Sequence, residues 1–211
     1  MSPLIIEEHE KNLIWPDDID DSQAYQDLTP ITDNVGDQHR VVLEEDLGMS
    51  RLYLRHVPSD QISANVVLEF CPVTPNGFPQ PSPQVTSVYV HEDYRGAKLA
   101  MRIYRLVMSH YGAIISDTHQ TTGGALIWLR MVREDSVLIN IMQVQEDGSL
   151  EYRYSNGEPE AYQGDSDALE AVAQTIWGGP EEVIAPLDFE ILGFTPAHVT
   201  RESVVLAARI V

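Results

Sequence analysis

A short β-rich run at 85–90 passes through His91-Glu92-Asp93-Tyr94 into Arg95-Gly96-Ala97-Lys98-Leu99-Ala100, and from there directly into a helical pattern. Leu99, Ile103, Leu106, Val107 and His110 recur at helical spacing, which predicts a helix from about Lys98 to Tyr111 with Gly112 as its stop. A strand followed at once by a helix suits an α/β domain. The junction has a chemistry of its own. The first turn of a helix has N–H groups without intrahelical partners and a positive dipole end, and small residues such as Gly96 and Ala97 let an anion approach them. Arg95, Lys98, Arg102 and Arg105 follow at spacings of 3, 4 and 3, with no acid among them. The whole chain has only 13 Lys and Arg and a net charge of -20. Two readings of this cationic stripe stand side by side: it receives a polyanionic small ligand, or it pairs with the chain's own acidic N-terminal segment.

That segment, residues 1–38, holds ten acids and one base, Lys11. It reads as an arm with one short helix, pinned to the core by Trp15 and Tyr25. Val41 to Leu43, Arg51 to Val57, Ala64 to Phe70 and Thr86 to Val90 read as strands. Five prolines fall between Pro72 and Pro83, with Asn76-Gly77 among them. They exclude a sheet there and leave a stiff loop, either a lid or a plain connection. Past Gly112, Ala113 to Ser116 reads as a short buried strand, and Thr122 to Val132 as a helix with Ala125, Trp128, Leu129 and Val132 on one face. Val137 to Val144 and Ser149 to Tyr154 form a hairpin around Asp147-Gly148. Ser166 to Trp177 reads as a third helix, with Leu187 to Leu192 and Val204 to Ile210 as closing strands. The expected division is an acidic arm at 1–38, a core at 39–145 and a C-terminal extension at 146–211.

Charge and composition remove several function classes. An acidic surface repels a phosphate backbone, so direct nucleic-acid binding is not expected. A basic protein partner or a cationic acceptor suits the charge better. Cys71 is the only cysteine, so an internal disulfide and a cysteine-built zinc site are excluded. The first ten residues carry Glu7, Glu8 and Glu10 and do not read as a signal peptide, and no apolar run is long enough to span a membrane. Cytoplasmic location is the expectation. No P-loop, His-Glu-x-x-His or Gly-x-Ser-x-Gly pattern is present, and His91-Glu92-Asp93 is too compressed for a metal site.

Val88-Tyr89-Val90-His91-Glu92-Asp93-Tyr94-Arg95-Gly96 resembles the fourth strand and phosphate loop of the GNAT N-acetyltransferases, whose signature is Arg/Gln-x-x-Gly-x-Gly/Ala. Arg95 and Ala100 match it, and Lys98 stands at the middle glycine. The order strand, loop, helix, strand, helix over 85–132 fits as well. The run from Ser116 to Trp128 resembles a variant associated with phage-encoded members. The resemblance implies a GNAT-like α+β fold: a mixed, mostly antiparallel central sheet flanked by helices. It implies acetyl-CoA as cosubstrate, with its pyrophosphate on the N–H groups of Gly96, Ala97, Lys98, Leu99 and Ala100. Its pantetheine arm would run along Val88 and Val90, where that strand splays from its neighbour, with Arg95, Lys98 and Arg102 near the remaining phosphates. The family places a tyrosine acid on the second helix, where this chain has Trp128, whose indole does not titrate near neutral pH.

Acetyl transfer to an amine needs a base and a donor for the developing oxyanion. By analogy the donor is the Val90 N–H. Candidate bases are Glu69, His91 and Asp117, with Tyr89 as an acid or positioning group. Two functions follow. One is an N-acetyltransferase acting on a small-molecule or protein amine. The other is a catalytically degenerate relative that serves as a binding, host-inhibiting or structural protein.

Overall fold

The computed structural model describes residues 13–20, 22–71, 73–117, 122–162 and 204–211. The expected helix at 166–177 and strand at 187–192 lie outside the described residues. The fold is α+β, built on one nine-stranded mixed sheet. Its strands are β1 (Tyr25–Thr32), β2 (Gln38–Asp46), β3 (Met49–His56), β4 (Gln61–Cys71), β5 (Ser82–Val90), β6 (Ile114–Ile115), β7 (Val137–Val144), β8 (Leu150–Tyr152) and, after the small hairpin β9 (Tyr154–Ser155) and β10 (Glu158–Pro159), β11 (Val204–Ile210). Two helices, α1 (Leu99–Tyr111) and α2 (Thr122–Met131), are described.

The sheet order is β1-β2-β3-β4-β5-β6-β11-β7-β8. β1 to β5 are a plain antiparallel meander. The crossover through α1 then makes β5 and β6 the one parallel pair among the described strands. β11 enters between β6 and β7, antiparallel to both, so the end of the chain is a central strand of the sheet.

Alternation along each strand sorts the side chains onto two faces. Val41, Leu43, Leu52, Leu54, Ala64, Val66 and Leu68 form the main core with Leu99, Ile103, Tyr104, Val107 and Met108 of α1 and with Trp128 and Met131 of α2. Both helices thus pack on the same face. The buried face of α1 takes in Tyr104 and Met108 in addition to the expected Leu99, Ile103 and Val107, whereas His110 is exposed. Gly112 closes the helix at φ 84°, with its N–H on the Met108 carbonyl at 2.8 Å, and a Cβ there would press to 3.1 Å from Pro79.

The opposite face has two smaller covers. Ile19, Val42 and Tyr53 are buried together beneath Trp15 and Tyr25, whose rings both meet Tyr53 edge-on at 6.4 Å. Further along, Phe78 of the proline-rich connection is buried against Ala113, Ile115, Met142 and Leu150. That connection is also tied down by the Leu150 N–H, which donates to the Val73 carbonyl at 3.0 Å. It is a packed buttress, which answers the question of a lid. β5 begins inside the proline run, with Pro83 one residue past the start of the strand, where its missing N–H is tolerated. Tyr25–Thr32 is a strand where the sequence reading expected an arm with a short helix: it is an edge strand, with only Ile31 fully buried.

Candidate functional site

β5 is the element on which the candidate site depends. On one side it is paired with β4 through Ala64↔Val90, Asn65↔Tyr89 and Val66↔Val88. The His91 N–H donates to the Ser63 carbonyl at 2.9 Å. In an antiparallel ladder, bonded and non-bonded pairs alternate, so Tyr89 shares its peptide bonds with Asn65 while Val88 and Val90 turn theirs away from β4. On that far side β5 meets β6 at Gln84↔Ile115. The chain after Ile115 bonds β11 instead: the Ser116 N–H donates to the Leu206 carbonyl at 2.8 Å, and its hydroxyl accepts from the Leu206 N–H at 2.9 Å. Among the described residues no strand joins β5 on this side beyond Gln84.

After Val90 the chain does not run straight into a helix. Glu92–Ala97 forms a 3-10 helix capped by His91, whose Nδ1 accepts from the Asp93 N–H at 3.3 Å. Gly96 and Ala97 therefore belong to a 3-10 turn, a correction to the direct strand-to-helix passage expected from the sequence. Lys98 then adopts φ 59°, ψ 23°, and α1 starts at Leu99 with no side-chain cap. This is the left-handed region that glycine enters freely. The position where the resembled signature has its middle glycine thus has a glycine-like backbone here, with a lysine side chain on it.

The four bases have different surroundings. The Arg95 Nε donates to the Val90 carbonyl at 3.3 Å, and the guanidinium lies 5.9 Å over the Tyr89 ring. Arg105 is bound to Glu134, its Nε donating at 2.8 Å. Lys98 and Arg102 are exposed, and among the described residues neither has an ion-pair partner. The described acids of the N-terminal segment go elsewhere. Asp20 and Asp27 hold Arg40 at 2.7 Å each, while Asp33 and Asp37 face His39 and His56. The pairing of the stripe with that segment finds no counterpart among these residues.

The candidate catalytic groups are scattered. His91 and Tyr89 flank Val90, but the Tyr89 side chain lies on the sheet face away from α1, beneath Arg95. Asp117 follows β6, half-buried, and its charge adds to burial in raising the pKa of the Tyr104 phenol. Glu69 is exposed and in register with Gln84, at the other end of β4 from the partner of Val90. Trp128 is fully buried, edge-on to Tyr104 at 5.8 Å. A cleft of about 450 Å³ lies on the face away from α1, between Leu13, Ile14 and Pro16 and the strand residues Arg51, Asn65 and Tyr89. Lys98 and its turn are not part of it.

A buried polar network below the 3-10 turn was not found by sequence reasoning. His39 and His56 are directly opposite in the β2–β3 register, with ring centroids 5.0 Å apart. The Tyr94 ring covers both, at 5.5 and 5.0 Å. His39 is fully buried between the Ser63 hydroxyl, 2.8 Å from Nδ1, and the Asp33 carboxylate, 3.5 Å from Nε2. Burial pushes its pKa down against the pull of Asp33, and His56 adds to the depression. Burial opposes the Asp33 charge, yet the N–H groups of Val35, Asp37 and Gly36 and the bond to His39 hold its carboxyl below the usual carboxylate value. No group of three or more His, Cys, Asp or Glu among the described residues is arranged to hold a metal ion. No described helix is long and apolar enough to cross a membrane.

Among solved structures, a tandem GNAT protein from the clavulanic acid biosynthesis pathway, solved without AcCoA, resembles this chain at 18% identity and a TM-score of 0.27. The match covers 47% of this chain and 33% of that one, so this chain spans about a third of its length. No family model matches, and no curated protein shows a significant match.

Proposed function

We propose that this chain is a GNAT-type N-acetyltransferase that moves an acetyl group from acetyl-CoA to an amine. The observation that carries the reading is the edge of β5. Val88 and Val90 turn their peptide groups away from β4, toward the side where β6 has ended, and the chain then runs to an uncapped helix start beside Lys98. The residues fit the cosubstrate on chemical grounds. First-turn N–H groups at Leu99 and Ala100 suit a pyrophosphate, and Lys98 and Arg102 add positive charge without described partners. Acetyl-CoA supplies the activated thioester. Val88 and Val90 hold an amide-bearing arm by strand-like hydrogen bonds, and the Val90 N–H is the donor for a carbonyl oxygen. His91, after β5, and Asp117, after β6, border the carboxyl ends of a parallel strand pair and are the proposed bases. The net charge of -20 favours a cationic acceptor.

A second reading, a binding protein that keeps the site without the chemistry, is favoured by Trp128. That residue sits where the resembled family has its acid, and it is packed into the core. Thermal melts with acetyl-CoA and with plain CoA test the first step. Micromolar binding at millimolar ligand raises stability by about 4 kcal/mol, a shift of several degrees. No shift with either compound contradicts the reading. A shift without thiol release across a panel of amines supports the binding protein.

A further inference from the structure

The cleft on the face away from α1 takes no part in the proposed chemistry, and its lining has a character of its own. Tyr53, Asn65 and Tyr89 stand in register across β3, β4 and β5 and form one row of its floor. Arg51 and Val67, also in register, begin the next row. Leu13 and Ile14 supply an apolar wall. The space is about 450 Å³, in the size range of small-molecule sites. Both tyrosines are fixed in place. Tyr89 lies beneath the Arg95 guanidinium at 5.9 Å, and Tyr53 is held by Glu44 and by the Trp15 and Tyr25 rings. A flat sheet floor between two fixed rings suits a planar body.

The charge of the lining is the reverse of the chain's. The sequence has 33 Asp and Glu against 13 Lys and Arg, yet the described residues that line the cleft include no acid and a single base, Arg51. Arg51 is loosely held. Its Nη1 reaches Glu44 Oε2 at 3.5 Å, beyond the ordinary range of a hydrogen bond, while the same oxygen accepts from the Tyr53 hydroxyl at 2.7 Å. A guanidinium carries several N–H donors in a fork that matches a carboxylate, so most of the Arg51 head is left for another acceptor. Asn65 is its diagonal neighbour on the floor, where two side chains can meet one group. The Asn65 Oδ1 is buried without a partner among the described residues, which leaves the Nδ2 end of the amide for the cleft. Both polar groups are therefore donors, and together they suit an anion.

We propose that this cleft is a binding site for a planar aromatic carboxylate, with the carboxylate on Arg51 and Asn65 and the ring body between the sheet floor and the wall of Leu13 and Ile14. Lys98 and its turn are not part of the cleft, and the site does not rest on acetyl-CoA as a cosubstrate. The test below uses no CoA compound, so the two readings stand or fall separately.

The experiment is an NMR titration of the full chain with cinnamate at up to millimolar concentration, followed through the backbone amides. The expected result is a saturable response at Arg51, Tyr53, Asn65 and Tyr89, with Leu99 and Ala100 unmoved. Cinnamamide keeps the shape without the charge and should bind about tenfold more weakly, because the bonds to a charged group are lost. Hydrocinnamate keeps the charge without the planarity and should also bind more weakly, since it must be ordered on binding. Arg51→Met keeps the length of the side chain and should reduce cinnamate binding to the level of the amide, with Arg51→Lys in between. An unchanged spectrum away from β3 shows that each variant is folded. No saturable response at the four positions would overturn the proposal. So would equal binding of cinnamate and cinnamamide, or a response centred on Leu99 and Ala100, which would put the anion at the start of α1. Hydrocinnamate that binds as tightly as cinnamate would overturn the planar class of ligand.

Discussion

Gln84 and Ile115 stand in parallel register across β5 and β6, and past this pair the two strands part. The Gln84 side chain pins the junction, its Nε2 donating to the Ser116 carbonyl at 3.1 Å. Gln84→Leu removes that donor and should cost about 1 kcal/mol. Urea denaturation measures the loss, and faster amide exchange at Ile115 and Ser116 should accompany it. Unchanged stability would mean that the junction is held by β11 alone.

The left-handed backbone of Lys98 gives a second prediction. Lys98→Gly relieves a conformation that costs an L residue roughly 1–2 kcal/mol, partly offset by the greater freedom of glycine in the unfolded chain, for a net gain of about 0.5–1 kcal/mol. Lys98→Ala keeps the strain and should show no such gain. The comparison of the two melting temperatures separates backbone from side chain. If the proposed function holds, Lys98→Gly weakens CoA binding through lost charge even as it stabilises the fold.

Arg102 and Arg105 are neighbours on α1 with different duties. Arg105 is held by Glu134, so Arg105→Ala should change stability by only about 0–1 kcal/mol, as exposed ion pairs do. It should leave the CoA-induced shift in melting temperature intact. Arg102→Glu should shrink that shift with little effect on the apo protein. Equal effects of the two substitutions on the shift would contradict a site confined to the start of the helix.

Much of this arrangement was legible in the sequence, for identifiable reasons. α1 and the strand pattern from 51 to 90 follow from apolar periodicity, and Gly112 after α1 and Gly148 between β7 and β8 take the positive φ that their turns need. β1 was missed because an edge strand with one buried side chain has no apolar stripe to read, and its acids suggested an arm. The stripe of four bases looked uniform because spacing alone does not show that Arg95 folds back on Val90 or that Glu134 arrives from 29 residues away to take Arg105. The histidine pair was invisible for the same reason. His39 and His56 each continue an apolar alternation, Val41-Leu43 and Leu52-Leu54, but only the register of β2 on β3 sets them opposite one another.

The depressed pKa of His39 fixes the sign of a pH effect on stability. Its folded value lies below the ordinary 6.5, so as pH falls the unfolded chain takes up the proton first. The contribution to stability is complete above about pH 6.5 and is lost as the pH falls through the folded value. Melting temperatures should therefore decline from pH 7.5 to pH 5.5, and His39→Gln should flatten that slope. An identical slope in the variant would assign the decline to other groups. Asp33, held below the usual carboxylate value, adds a further loss only in stronger acid.

The proposed function requires that the outer edge of β5 and the start of α1 together receive an acyl-CoA. Backbone amide shifts during a titration with acetyl-CoA test it most directly. Under acyl-CoA binding Val88, Val90, Leu99 and Ala100 should move together and saturably, with Lys98→Glu suppressing all four. Amides at these positions that stay fixed at millimolar acetyl-CoA, or perturbations confined to the cleft between Pro16 and Tyr89, would contradict it.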